Sequence, residues 1–225
     1  MNLIDTVALS KKICDQPIQC QLAYTTANNF LGRIVNGYHQ DAFDICLLTP
    51  KAAHALCQVQ NELIHNHELG LLVFDAYRPR RAVKDFMQWS KAPPASDFEL
   101  QRKKLHYPHI EKNQLFDLGY VAEDSNHCYG NTVDLVLIDL QTKKILNMGA
   151  IFDYMDPLSH ITNTENEIGA EAYQNRQILR DAMEKHGFHP YQYEFWHYCH
   201  GGPKGREVEG PLDIEITANL KGIGV

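Results

Sequence analysis

The sequence predicts an α+β fold in a single domain, built on a mostly antiparallel sheet with flanking helices. Three observations lead there. Helical and strand segments alternate, yet without the strict βαβ regularity of a doubly wound parallel sheet. Hairpin-type links dominate, Gln141-Thr142-Lys143-Lys144 being the plainest. The chain has 225 residues with no internal repeat and no low-complexity tract, so 1–225 reads as one domain.

The elements follow in order. QLAYTTANNFLGR is mixed and turn-rich, and ICLLTP is a short buried strand stopped by Pro50. From Pro50 to about His67 apolar positions recur at helical spacing. Ala53, Leu56, Val59 or Gln60, and Leu63 share one face, and Gly70 is the natural stop. LLVFDAY, Leu71 to Tyr77, is a strand. RPRRAVKDFMQWSK then opens a second helix, with Pro79 tolerated in its first turn because an N–H there has no helical partner to lose. The segment from Ala92 to Asp124 is polar, carries Pro93-Pro94 and reads as a long excursion over the surface. Asn131 to Leu140 is the strongest strand, and it turns back into ILNMG. A long helix covers about Glu167 to His186, its apolar stripe being Ala170, Tyr173, Ile178, Leu179 and Met183. After Gly187, FHPYQYEFWHYCHGG is an aromatic-rich strand.

Hydrophobic residues make up 44% of the chain and charged residues 22%, the balance of a globular protein with a real core. A net charge of −7 argues against a nucleic-acid partner, which needs a basic patch. No apolar run is long enough to cross a bilayer. MNLIDTVALSKKICDQ has neither the basic start nor the apolar core of an export signal. A cytoplasmic location without membrane association is therefore expected. There the six cysteines, none in a CxxC pair, should be reduced, with Cys46 and Cys57 acting as small buried hydrophobes.

Chemistry concentrates in three places. In SNHCYGNTVDLVLIDL, Ser125 to Leu140, His127 and Asp134 stand at the approach to the strong strand. An imidazole and a carboxylate are ligand types for a catalytic divalent metal, and Gly130 permits a sharp turn that folds His127 back toward Asp134. Asp134 shares a strand face with Val136 and Ile138. A carboxylate there is heavily penalised unless paired or metal-bound. The plainer alternative makes Asp134 a loop cap and His127 a surface side chain.

In EFWHYCH, Glu194 and His197 stand three apart among aromatics that keep bulk water away. An ideal strand would point them to opposite faces, so a bend or tight turn is needed to bring them together. His197 could then supply a third ligand, and Glu194 could act as base and acid on a metal-activated water. Two histidines, one carboxylate and an open fourth position describe a hydrolytic zinc site rather than a closed structural one. The alternative leaves both residues as polar edges of an aromatic strand. A rival Cys2His2 set of Cys128, Cys199, His197 and His200 has spacing unlike a structural knuckle. In DAYRPRR, Arg78 sits where a strand ends and a helix begins, placed to stabilise an oxyanion. Otherwise it is a surface arginine clustered with Arg80 and Arg81.

In this order the motifs resemble the zinc D,D-peptidases, and within them the D-alanyl-D-alanine dipeptidases of the vancomycin-resistance type. SxHxxGxxxD is matched by Ser125, His127, Gly130 and Asp134, and ExWH by Glu194, Trp196 and His197. YRP is matched by Tyr77, Arg78 and Pro79. YTTANNFLG and MGAIFDYMDPLSH extend the resemblance from about Tyr24 to Gly201. It departs at Thr132, where the family usually has alanine, and at Phe195, where tryptophan is common.

The resemblance implies one zinc ion per chain, held at the sheet by His127, Asp134 and His197. It implies Glu194 as general base and acid, and Arg78 on the tetrahedral intermediate. Ser125, Asp153 and Tyr24 would hold the substrate, with Asp153 taking its free ammonium group. The implied reaction is hydrolysis of the small dipeptide D-Ala-D-Ala to two D-alanines by metal-activated water. The alternatives are D,D-carboxypeptidase or peptidoglycan peptidase action on longer peptides, and a non-catalytic metal- or peptide-binding module. No oligomeric state follows from any of this.

Overall fold

The computed structural model describes residues 3–202 and 205–225. A short strand β1 (Ile4–Asp5) leads into helix α1 (Thr6–Ile13), whose first turn is capped by the Asp5 carboxylate accepting from the Val7 and Ala8 amides. β1 pairs antiparallel with β3 (Leu47–Leu48) in a small two-stranded sheet. The main sheet has five strands in the order β2 (Gln19–Cys20), β4 (Leu69–Asp75), β5 (Thr132–Asp139), β7 (Glu194–His200) and β6 (Phe188–Tyr191). The β2–β4 pair is parallel and the other three pairs are antiparallel. The chain thus adopts the expected α+β architecture.

Helix α2 (Pro50–His67) has the limits its spacing predicts, and Ala53, Leu56, Val59, Gln60 and Leu63 are all buried. Its stop differs. Glu68 ends it in the left-handed conformation at φ 58, whereas Gly70 lies inside β4, where a Cβ would meet Leu140 at 2.7 Å. Close strand packing, not helix termination, explains that glycine. Helix α3 (Arg80–Lys91) starts directly after Pro79.

The stretch expected to wander over the surface instead holds helix α4 (Asp97–His106), with the Ser96 hydroxyl accepting from the Glu99 amide. Glu99, His106, Tyr107, Leu115 and Val121 are buried. The Trp89 indole donates to Glu99 at 2.8 Å and the Lys112 ammonium to the same carboxylate at 2.6 Å. Its polar composition therefore serves partnered internal groups as well as solvation.

The long helix expected near the C-terminal third is two helices, α5 (Glu165–Ile168) and α6 (Ala170–Lys185), divided at Gly169 with φ 85. Within α6, Ala172, Arg176, Leu179, Ala182 and Met183 face inward, whereas Ala170 is exposed and Tyr173 and Ile178 are only half-buried. The aromatic strand is in fact the hairpin β6–β7, turning at Gln192-Tyr193.

Leu71, Val73, Leu135, Leu137, Leu179, Met183, Phe188 and Trp196 belong to one contiguous core. Truncating any such leucine to alanine should cost about 2–5 kcal/mol. β5 is buried along nearly its whole length on both faces, which is why it reads as an apolar run rather than an alternation. Among the described residues, no helix is long and apolar enough to cross a membrane.

Candidate active site

Three neighbouring strands line up the charged groups. Asp75 at the end of β4 is in register with Asp134 near the start of β5, and Asp134 is in register with His197 on β7. Directly opposed residues bring their side chains close together, and like charges there repel. Cationic and imidazole groups must intervene. Arg78, His127 and His197 do so.

His127 sits in the helical turn Asn126–Tyr129, which Gly130 ends at φ 71. A Cβ on Gly130 would lie 2.5 Å from the Leu3 side chain, so this position needs glycine for both conformation and space. His127 Nδ1 donates to the Ala76 carbonyl at 2.6 Å, which leaves Nε2 as the acceptor turned to the cavity. Nε2 is 3.3 Å from His197 Nδ1 and 3.3 Å from Asp134 Oδ2, and His197 Nδ1 is 3.0 Å from Asp134 Oδ1.

One ligating atom from each of His127, Asp134 and His197 lies within 4.8 Å of the others. Despite the 3.0 Å approach, Asp134 Oδ1 is buried and makes no aligned hydrogen bond. Lone pairs of two imidazoles and a carboxylate that converge on one buried point fit a divalent cation. Burial opposes ionisation of Asp134, but His127 and His197 outweigh it and hold the carboxyl far below its usual range. Burial also pushes His197 down, against the pull of Asp134. An ionised carboxylate and a neutral imidazole are the forms that a metal ligand requires.

Glu194 joins this cluster through an irregularity in the hairpin. Pro190 faces Tyr198, but the next residue, Tyr191, faces Glu194, leaving Phe195–His197 without β6 partners. That is the bend the ExxH spacing demands. Glu194 Oε2 comes to 3.5 Å from His197 Nδ1. Burial, then Asp134 and Asp153, push the Glu194 carboxyl well up, with Arg78 partly offsetting them. A cation among the ligands would pull it back toward ionisation.

Arg78 is not a surface arginine. It is 8% exposed, and Nε and Nη2 reach Asp75 Oδ2 at 2.9 and 2.7 Å. Nη2 also lies 3.6 Å from Asp134 Oδ2. The guanidinium packs 5.4 Å from the Tyr24 ring centre and 5.1 Å from that of Phe86, a favourable placement for a desolvated cation. Asp75 takes a further hydrogen bond from the Tyr38 hydroxyl at 2.7 Å. Neither Asp75 nor Tyr38 belongs to the motifs SxHxxGxxxD, ExWH and YRP that mark the site in the sequence. For Asp75 a signal exists: like Asp134, it is a carboxylate set in a largely apolar strand.

Tyr24, Ser125 and Asp153 line the same cavity of about 130 Å³ as Arg78, His127, Asp134, Glu194 and His197. All eight residues singled out in the sequence therefore meet in one place. The Tyr24 hydroxyl donates to Asp153 Oδ2 at 3.1 Å. Asp153 has φ 58, a left-handed conformation for which aspartate is enriched, and its carbonyl accepts from His106 Nδ1 at 3.0 Å. Burial raises the Asp153 pKa, and Asp134 adds to the rise.

The end of the supposed surface excursion, Gly119–Ala122 and Asp124, lines this cavity too. Tyr191 donates to the Gly119 carbonyl at 2.6 Å, and the Tyr120 hydroxyl is 3.1 Å from His160 Nε2. A larger open groove of about 1120 Å³, lined by Phe43, Phe74, Leu105 and Ile145 among others, contains none of the eight groups. The rival cysteine set is not assembled, for the Cys199 thiol turns to the Gly202 carbonyl at 3.1 Å and Cys128 packs with Val83 and Tyr129.

Residues 7–209 match the peptidase M15 family, described as D-Ala-D-Ala dipeptidase. The chain belongs to this family. It is 41% identical over 177 residues to a D-alanyl-D-alanine dipeptidase of Enterococcus faecalis, a match covering 78% of this chain and 82% of that one. A D-alanyl-D-alanine dipeptidase of Streptomyces coelicolor is 38% identical over 181 residues, covering 80% and 85%. One from Escherichia coli is 30% identical over 184 residues, covering 80% and 78%. Membership in the peptidase M15 family makes the chain a metallopeptidase and implies a bound metal, which the converging donors would suit.

Proposed function

We propose that the chain is a zinc-dependent D,D-dipeptidase, a single domain over 1–225 that hydrolyses D-Ala-D-Ala to two D-alanines. The observation that carries this reading is the convergence of His127, Asp134 and His197 on one buried point, with Glu194 and Arg78 beside it. Those three residues would hold the zinc. A zinc ion held there would supply a nucleophile near neutrality, because such an ion can lower the pKa of a bound water from about 15.7 to roughly 7.

The remaining work falls to the chain's own side chains. Glu194 takes a proton from the attacking water and passes it to the leaving amine. Arg78, held by Asp75, donates to the carbonyl oxygen as it gains charge, a contribution of about 2.7–4 kcal/mol for such a donor. Asp153, with Tyr24, receives the substrate's ammonium group, and Ser125 offers its hydroxyl to the dipeptide. A cavity of about 130 Å³, lined in part by Gly119–Ala122 and Asp124, supports a dipeptide over a longer wall peptide.

Zinc-loaded protein should release D-alanine from D-Ala-D-Ala. Glu194→Ala should keep its zinc and lose about 10²–10⁴-fold in turnover. An active Glu194→Ala protein would remove the assigned base. Wild-type protein that ignored the dipeptide but trimmed a muramyl pentapeptide would replace this reading with carboxypeptidase action. Binding of zinc and dipeptide without release would make the chain a binding module.

A further inference from the structure

The tail EVEGPLDIEITANLKGIGV contributes nothing to the ligand cluster, yet the C-terminal segment runs beside every turn that aims Arg78. Arg206 donates to Asn126 Oδ1 at 3.0 Å from Nε and 2.8 Å from Nη2, and its guanidinium lies 3.7 Å from the Tyr129 ring centre. It thereby grips the turn that carries His127. The Leu212 amide donates to the Cys128 carbonyl at 2.8 Å, and the Leu212 carbonyl accepts from the Arg80 amide at 3.0 Å. One residue joins the His127 turn to the Arg78 turn.

Two positions further on, the Tyr77 hydroxyl accepts from the Ile214 amide at 2.6 Å and donates to the Ile214 carbonyl at 3.2 Å. Tyr77 directly precedes Arg78. Asp213 accepts from the Arg81 amide at 2.8 Å, and Glu215 pairs with the Arg81 side chain. Ile216, 1% exposed, then closes on a third turn. Its amide donates to the Gly37 carbonyl at 2.8 Å and its carbonyl accepts from the His39 amide at 3.0 Å. Between those two residues stands Tyr38, whose hydroxyl holds Asp75, which in turn holds Arg78.

Arg78 needs such support. Its Nη2 sits between Asp75, at 2.7 Å, and Asp134, at 3.6 Å. A slide toward Asp134 would take up a ligand oxygen and withdraw the donor from the reacting carbonyl. Misplacement of a catalytic group by about 1 Å can lower the rate about 10²-fold.

We propose that residues 206–216 form a strap that positions the active site, fixing Arg78 through two positioning residues, Tyr77 and Tyr38. Most of the strap lies beyond the residues, 7–209, that match the family. The inference rests on the role given to Arg78 in the reading above.

A double-mutant cycle tests it, with kcat and KM for D-Ala-D-Ala measured on zinc-loaded wild type, Tyr77→Phe, Arg78→Ala and the double variant. Tyr77→Phe should lower kcat about tenfold or more, with KM changed less than about threefold and zinc content unaltered. In the Arg78→Ala background the same substitution should change kcat less than about twofold, because the two residues act as one unit. Hydrogen exchange at the amides of Tyr77, Arg78 and Arg80 should quicken in Tyr77→Phe while that of β5 does not. Equal losses in both backgrounds would make Tyr77 a general support of the fold and overturn the proposal. So would wild-type kcat in Tyr77→Phe. Arg78→Ala turning over at the wild-type rate would overturn the role of Arg78, and with it the strap's purpose, without any need of the double variant. Should Tyr77→Phe fail to fold, Tyr38→Phe carries the same cycle through Asp75, with the same expected and overturning results.

Discussion

Asp75 and Arg78 form a buried ion pair in which one carboxylate oxygen accepts a hydrogen bond from Nε at 2.9 Å and lies 2.7 Å from Nη2 of the guanidinium. Removing one partner of such a pair leaves the other charge buried and uncompensated, at roughly 3–5 kcal/mol. Asp75→Ala should therefore lose about that much stability, and Asp75→Asn, which keeps the shape, should lose less. Both should lower kcat by freeing Arg78. Denaturant midpoints and steady-state rates check this, and an unchanged midpoint for Asp75→Ala would contradict it.

Metal removal separates the site from the fold. With the metal stripped, Asp134 still has His127 and His197 within 3.3 Å, and the core does not depend on them. Chelator-treated protein should lose turnover yet unfold cooperatively, with its Tm lowered. One equivalent of zinc should restore both activity and Tm. Loss of cooperative unfolding on chelation would instead make the metal a structural element.

In the proposed role, Asp153 would offer a carboxylate to the substrate's ammonium group, an interaction worth about 1.5–3 kcal/mol for a hydrogen bond to a charged group. Asp153→Asn preserves the left-handed backbone and should raise KM roughly 10–100-fold. The wild type should refuse N-acetyl-D-Ala-D-Ala for the same reason. Equal rates on the free and acetylated dipeptides would place the ammonium group elsewhere.

His106 links stability to pH. Burial, with the Arg102 charge adding, pushes it down to about 4, and Arg102 Nη2 donates to its Nε2 at 2.6 Å. The unfolded chain binds a proton near pH 6.5 that the folded chain refuses until about pH 4. The stability from neutral His106 is thus complete above about pH 6.5 and is lost as pH falls toward 4, by on the order of 3 kcal/mol. Urea unfolding at pH 7 and pH 5 should show this slope, and His106→Gln should flatten it. The same slope in both proteins would assign the effect to other groups.

Much of this was legible in the sequence because it is local. The limits of α2 follow from spacing alone, and Asp134 stood out as a carboxylate on an apolar face. What was not legible depends on distant partners. Asp75 matters because strand register sets it against Asp134, and Tyr38 matters because its hydroxyl reaches Asp75 from outside the sheet. Gly169 splits one expected helix into two although the residues on both sides are helix formers. Residues 92–124 look solvated because Glu99 and Lys112 are polar, and their pairing with Trp89 and each other appears only in three dimensions.

The small volume around Asp153, about 130 Å³, also constrains inhibitors. Sites for drug-sized ligands usually span about 300–1,000 Å³, so this cavity itself favours compact ligands. Even the best tiny ligands gain at most about 1.5 kcal/mol per heavy atom. On the proposed roles, an effective blocker would be compact and doubly charged, with a cation toward Asp153 and an anion toward a metal held by His127, Asp134 and His197. The Tyr191–Gly119 and Tyr120–His160 contacts hold in place the segment that lines one side of this cavity.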